Sequence, residues 1–153
     1  MEVEVNDKSV FFSTGGTKFD NIKPSVIFIH GAGMDRTVWS MQARFFAHHG
    51  FSIVNLDLPG HGKSEGPACK TIEEYSGWLC ELISYLELNN VSLVGHSMGS
   101  LIALYTATKL EKKLKVAIMP SFTLNGLDET LRVKCSELNI KCSLSLAKEM
   151  KRS

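Results

Sequence analysis

The stretch VSLVGHSMGSLIAL, residues 91–104, decides the fold. Its first four residues are typical of a short buried strand, and its last five of a helix that begins at once. The GHSMG segment between them predicts a sharp turn in which Ser97 takes a strained backbone conformation. Gly95 and Gly99 would then keep the strand and the helix from clashing. Such a turn lifts the Ser97 hydroxyl clear of the sheet and places it at a helix N-terminus, which favours developing negative charge. The pattern predicts a nucleophilic serine.

A second glycine-rich turn, HGAG at residues 30–33, directly follows the apolar run 26–29. Taken alone, these residues would also fit an ordinary tight turn. Attack of a serine on an acyl carbon creates an oxyanion, which needs hydrogen-bond donors aimed at it. One donor is expected from the backbone N–H of Met98, the residue after the serine. Glycines let the HGAG backbone approach a substrate closely, so we assign the second donor to Ala32, with Gly33 as the alternative.

Alternating strand and helix patterns surround these two turns, and they predict an α/β fold. We expect a mostly parallel sheet of about six strands with helices on both faces. The loop DLPGHGKS, residues 57–64, is interpreted as structural, with glycines that supply backbone angles. Thr71 and Glu74 form a predicted capping box at the start of the longest helix. The predicted strands are Val3–Val5, Val10–Ser13, Val26–Ile29, Phe51–Leu56, Val91–Val94 and Lys115–Met119, and the predicted helices begin near Asp35 or Thr37, at Thr71 and at Met98.

Composition is that of an ordinary globular domain of 153 residues with a net charge of +1, so nothing predicts a nucleic-acid partner. The four cysteines have no metal-ligand spacing, and we expect neither a metal nor a disulfide. The N-terminus does not resemble a signal peptide, and no apolar run is long enough for a membrane span. We therefore expect a cytoplasmic protein that does not bind membranes.

The motifs HGAG, DLPGHGKS and GHSMGS, in this order, resemble the α/β-hydrolase superfamily of the serine hydrolase type. The resemblance covers about residues 8–120 and implies a core domain over 1–120. Residues 121–153 would be an irregular or helical tail, or a cap remnant. The resemblance implies a cofactor-free hydrolase that cleaves ester, thioester or related acyl bonds of a small molecule. It makes Ser97 the nucleophile and Ala32 and Met98 the oxyanion hole, flanked by the active-site loop residues His30, Gly31, Gly33, Gly95, His96 and Gly99.

The sequence departs from this family in its histidines. The family's catalytic acid and histidine follow the serine along the chain, but all five histidines here precede Ser97. Asp128 and Glu129 follow the sixth predicted strand, where a few members of the family place the acid, and neither is assigned. We therefore expect a fold truncated after strand six and a weakly active product. A non-catalytic binding module and an enzyme completed by another chain are the alternatives. A sheet ending at Lys115–Met119 would expose an unpaired edge, which predicts self-association.

Overall fold

The structure, a computed structural model, describes residues 1–110, 114–118 and 142–143. These residues form a sheet of seven strands in the order β1-β2-β4-β3-β5-β6-β7. The strands are β1 (Glu2–Val5), β2 (Lys8–Ser13), β3 (Ser25–Ile29), β4 (Ser52–Leu56), β5 (Val91–Gly95), β6 (Leu114–Ile118) and β7 (Cys142–Ser143). The helices are α1 (Ser40–Ala47), preceded by a 3-10 turn at Arg36–Trp39, α2 (Ile72–Tyr85) and α3 (Met98–Leu110).

Most of the sheet is parallel, which confirms the predicted fold class. β3 lies between β4 and β5 and runs parallel to both, and β6 and β7 continue the parallel order. Only β1 and β2 run antiparallel to their neighbours. Because the carboxyl ends of parallel strands meet at one edge, the loops that follow β3, β4 and β5 come together there. This edge holds the candidate site.

Helices cover both faces of the sheet, as predicted. The side chains of β3 are all buried and alternate between two apolar cores, since successive residues of a strand point to opposite faces. Ile27 and Ile29 belong to the larger core under α2 and α3, whereas Val26 and Phe28 belong to the smaller core under α1. A strand buried on both faces therefore appears in the sequence as an unbroken apolar run.

The predicted capping box at the start of α2 is confirmed, with one difference. The Thr71 side chain accepts a hydrogen bond from the Glu74 N–H at 3.1 Å. The Glu74 carboxylate accepts from the N–H of Lys70 at 2.8 Å, one residue before the expected partner. The first bond satisfies an N–H group that the helix start leaves without an intrahelical partner, and the second holds the residue just before the N-cap.

The sheet has seven strands, against about six predicted. The seventh, β7, has two residues and pairs in parallel with β6 at Ala117 and Ile118. The strand expected to be an open edge is therefore partly covered, and its covering strand comes from the stretch 121–153 that was expected to be irregular or helical. Some twenty-five residues of sequence separate the paired positions of β6 and β7. Pairing between such distant segments depends on the tertiary path of the chain, which the hydrophobic periodicity of the sequence does not reveal. Most of the tail expected over 121–153, including the acids Asp128 and Glu129, lies outside the described residues.

Within the described residues, no helix combines the length and the apolar character needed to cross a bilayer.

Candidate active site

Ser97 lies at the turn between β5 and α3, in a backbone conformation that few residues adopt. Its φ is +53°, and its side chain is exposed. Positive φ is uncommon outside glycine, and holding a serine there costs on the order of 1–3 kcal/mol. The Gly99 N–H donates to the His96 carbonyl at 2.8 Å, and the Ser100 N–H donates to the Ser97 carbonyl at 2.9 Å. These bonds close the turn and hold the hydroxyl outward from the sheet.

The two glycines beside Ser97 stand where the strand and the helix nearly touch. A Cβ added at Gly95 would lie 2.2 Å from the carbonyl oxygen of Gly99. A Cβ added at Gly99 would lie 2.2 Å from the carbonyl oxygen of Ile29, in the neighbouring strand β3. Both distances are far inside van der Waals contact. The Ser100 hydroxyl, fully buried, donates to the Gly95 carbonyl at 2.8 Å and fastens the helix to the strand.

The loop after β3 packs directly against this turn. A Cβ added at Gly31 would lie 3.3 Å from the Cβ of Ser97, so the two predicted site segments do come together. Ala32 and Gly33 follow as exposed residues, and Gly33 has a φ of +70°. Met98 is half-buried in the first turn of α3, where backbone N–H groups have no partner inside the helix.

His30 is fully buried, and both nitrogens of its ring are engaged. Nε2 lies 3.0 Å from the N–H of Leu58, which can only donate, so Nε2 is the unprotonated nitrogen. The proton is therefore on Nδ1, which donates to the Gly31 carbonyl at 2.8 Å. A neutral ring with both nitrogens occupied has no free lone pair to accept a proton from Ser97.

The surroundings of His30 favour this neutral form. Burial is the main cause that lowers the pKa of His30 below its ordinary value of 6.5, and the nearby His61 acts in the same direction. The hydrogen bond to Gly31 opposes the shift, as do the charges of Asp57 and Asp35. Burial disfavours the charged imidazolium because it removes water from around the ring.

Asp57 directly follows β4, and its buried carboxylate connects two loops. Oδ1 accepts from the Arg36 backbone N–H at 2.8 Å, and Oδ2 accepts from the Arg36 guanidinium at 2.7 Å. Oδ2 also accepts from the Lys63 N–H at 2.9 Å. The loop is structural, as predicted: the Ser64 hydroxyl donates to the Asp57 carbonyl, and a Cβ added at Gly62 would lie 2.3 Å from the Asp57 carboxylate. No pattern in the sequence predicts the ion pair between Asp57 and Arg36.

The other four histidines lie at three separate places in the structure. His96 is half-buried beside Ser97, and His48 and His49 are exposed at the end of α1. His61 faces a shallow cleft of about 560 Å³ beside the HGAG loop. Its Nδ1 lies 3.0 Å from the Pro59 carbonyl, and its ring centre lies 5.1 Å from that of His30. The cleft is lined by Gly33, Met34, Asp35, Thr37, Val38, Gly60, His61 and Gly62.

Known proteins are similar to this chain in sequence and in fold. The chain is 41% identical over 78 residues to (E)-2-((N-methylformamido)methylene)succinate hydrolase of Acinetobacter baylyi, covering 50% of this chain and 29% of that protein. It is 28% identical over 116 residues to putative esterase/lipase 2 of Mycoplasma genitalium, covering 74% and 43%. The chain thus spans less than half the length of either relative.

Solved structures and a family model identify the family of this chain. A variant of the Vigna radiata epoxide hydrolase superposes with a TM-score of 0.72 at 28% identity, over 85% of this chain and 40% of that one. A bacterial membrane phospholipase A superposes with a TM-score of 0.70 at 26% identity, over 78% and 38%. The model of the alpha/beta hydrolase family matches residues 26–136, a range that includes the HGAG loop, the Asp57 loop and the Ser97 turn. The chain therefore belongs to the alpha/beta hydrolase family.

Proposed function

We propose that this chain carries the nucleophile and the oxyanion-binding loop of a serine hydrolase that cleaves ester, thioester or related acyl bonds of a small molecule. The conformation of Ser97 is the observation that carries the proposal. An exposed serine is held at a φ of +53° between two glycines whose Cβ positions are blocked by backbone. Backbone strain of this kind is concentrated at functional sites, where neighbouring structure maintains it.

In the proposed reaction, the Ser97 Oγ attacks the acyl carbon and loses its proton to a general base. The carbonyl oxygen becomes an oxyanion that accepts hydrogen bonds from the N–H groups of Met98 and Ala32, with Gly33 as the alternative donor. Collapse of this intermediate expels the protonated leaving group and leaves an acyl-serine. Water then adds to the acyl carbon and releases the acid, restoring the Ser97 hydroxyl.

The general base of this reaction is not readily assigned to any of the five histidines. His30 has both ring nitrogens engaged, and His48 and His49 lie at the far end of α1. His61, at the cleft beside the HGAG loop, would be the first histidine to test. Without an effective base, a serine hydroxyl is a weak nucleophile at neutral pH. We therefore propose that the 153-residue chain is weakly active, and that another chain or segment can supply the acid and the histidine.

Structural likeness to an epoxide hydrolase does not transfer that activity to this chain, because one fold hosts many reactions. The family members that open epoxides or remove halogens use an aspartate as the nucleophile. Serine occupies this position here, and it favours acyl transfer instead. The names of the sequence relatives, a hydrolase and a putative esterase/lipase, agree with this class.

A fluorophosphonate probe tests the proposal, because it labels activated serines covalently. We expect slow labelling of the full chain, loss of labelling in Ser97→Ala, and retention in Ser84→Ala, which removes an exposed hydroxyl on α2. Added imidazole should raise the wild-type rate by supplying a base. Equal labelling of the wild type and Ser97→Ala would overturn the assignment of the nucleophile.

A second candidate is a non-catalytic binding module that keeps the hydrolase architecture. The engaged nitrogens of the buried His30, together with the order of all five histidines before Ser97, are the observations that favour it. The binding-module candidate predicts that the fluorophosphonate probe does not label Ser97, even when imidazole is added. A His61→Gln variant separates the two candidates further, because loss of labelling in that variant would identify His61 as the base.

A further inference from the structure

We infer that the carboxyl end of β4, residues 55–58, is a clamp that sets the position of the oxyanion loop, residues 30–36. Asn55, Asp57 and Leu58 would then be positioning residues that act through the loop without touching substrate. This inference rests on the proposed function, because the loop matters for catalysis only if it supplies an oxyanion donor. The clamp itself is a geometric claim that can be tested without any reaction.

The far end of the loop is fixed at Arg36 by three hydrogen bonds. Asp57 accepts from both the backbone N–H and the guanidinium of Arg36, at 2.8 and 2.7 Å. The Asn55 side chain donates its Nδ2–H to the Arg36 carbonyl at 3.0 Å. Both backbone polar groups of one residue are therefore bound by side chains at the end of the neighbouring strand. Asn55 is 1% exposed and Asp57 0%, so water does not compete for these bonds.

The near end of the loop is fixed at His30. The Leu58 N–H donates to Nε2 of His30 at 3.0 Å, and Nδ1 of the same ring donates to the Gly31 carbonyl at 2.8 Å. The buried imidazole thus links the residue after Asp57 to the first peptide of the loop. Residues 55–58, at the end of β4 and just after it, therefore hold both ends of the oxyanion loop, which contains Ala32.

Between these two ends the loop has little packing of its own. Ala32, Gly33 and Met34 are all exposed, and the Met34 N–H donates to the Gly31 carbonyl at 3.2 Å. A short exposed loop takes its position from its ends when its own side chains are not buried. An oxyanion donor must lie about 2.7–3.1 Å from the developing charge. Displacement by about 1 Å can lower a rate on the order of a hundredfold, so release of either end should affect the chemistry at Ser97.

The matched variants are Asp57→Asn and Ser64→Ala. Asp57→Asn keeps the shape of the side chain but turns an NH₂ group toward two donors, the Arg36 guanidinium and the Lys63 N–H. Ser64→Ala removes a buried hydroxyl that bonds the Asp57 carbonyl and the Phe11 N–H, so it weakens the same loop but leaves the hydrogen bonds to Arg36 and His30 in place. Arg36→Ala with Arg36→Lys is a milder pair, since the backbone bonds to Arg36 remain in both.

The first measurement is NMR of the full chain, which does not depend on activity. We expect the ¹⁵N resonances of the His30 ring to report a proton on Nδ1 and none on Nε2. We expect the amide resonances of Ala32 and Gly33 to shift or broaden in Asp57→Asn and in Arg36→Ala, to recover in part in Arg36→Lys, and to stay in place in Ser64→Ala. A proton on Nε2, or unmoved amides in both clamp variants, would overturn the inference.

The second measurement is the rate constant for fluorophosphonate labelling of Ser97, compared with the free energy of unfolding of each variant. We expect a fall of about tenfold or more in Asp57→Asn and a smaller fall in Arg36→Ala. Ser64→Ala should lose stability but keep its labelling rate within about twofold. Equal losses of rate in Asp57→Asn and Ser64→Ala would show a merely structural role. If Ser97 is unreactive in every variant, the proposed function fails while the NMR result still decides the clamp.

Discussion

The strain at Ser97 can be measured by comparing two variants that both lack the hydroxyl. Ser97→Ala keeps a Cβ at a φ of +53°, whereas Ser97→Gly removes it. The left-handed conformation costs an L-residue roughly 1–2 kcal/mol. Glycine avoids that cost but loses roughly 0.5–1 kcal/mol because its unfolded chain is more flexible. The Ser97 side chain is exposed, so neither variant loses much packing. We expect Ser97→Gly to be more stable than Ser97→Ala by roughly 0.5–1 kcal/mol.

Urea unfolding followed by circular dichroism provides the assay, because the midpoint shifts with stability while an unchanged slope shows that the unfolded state is unaltered. A chain of this length should show a difference in melting temperature of roughly 1–4 °C. Ser84 is the matched control, since it is an exposed serine within α2. There, glycine should be less stable than alanine by up to about 1 kcal/mol. If glycine is also the less stable residue at position 97, the backbone is not left-handed there, and the reasoning about the turn is refuted.

Four further outcomes are expected. Gly99→Ala should lower the free energy of unfolding by at least about 1–3 kcal/mol, because its Cβ would lie 2.2 Å from the Ile29 carbonyl oxygen; a wild-type urea midpoint would contradict this. The pKa of His30 is lower in the folded chain than its ordinary value of 6.5. As the pH falls below 6.5, the unfolded chain therefore binds a proton at His30 before the folded chain does, and the free energy of unfolding should decline. A His30→Gln variant should show a flatter pH dependence of its urea midpoint. Thr71→Ala should destabilise the chain by about 1 kcal/mol in thermal melts, with loss of the N-cap bond. Sedimentation should show concentration-dependent self-association through the edge of β6, where β7 pairs with two residues within the described part of the chain, and a monomer at high concentration would count against it.

The sequence alone was sufficient for the features that depend on neighbouring residues. The glycines around Ser97, the cap at Thr71 and the apolar run of β3 each follow from sterics or hydrogen bonding within a few residues of the chain. These local rules were enough to predict the α/β class, the Ser97 turn and the HGAG loop beside it. The family resemblance and the match over residues 26–136 rest on the same segments.

Only the tertiary structure decided which distant residues hold the site together. The Asp57–Arg36 pair spans 21 residues of sequence, and the Leu58–His30 bond spans 28. Neither pair has a local pattern, because each exists only when β3 and β4 lie side by side with their carboxyl ends together. The same holds for β7, whose two residues pair with the distant strand β6. Steric limits on the backbone act between neighbouring residues, so the sequence predicts their effects. The partner of a buried charge or of a strand edge is instead determined by the order of the strands in the sheet.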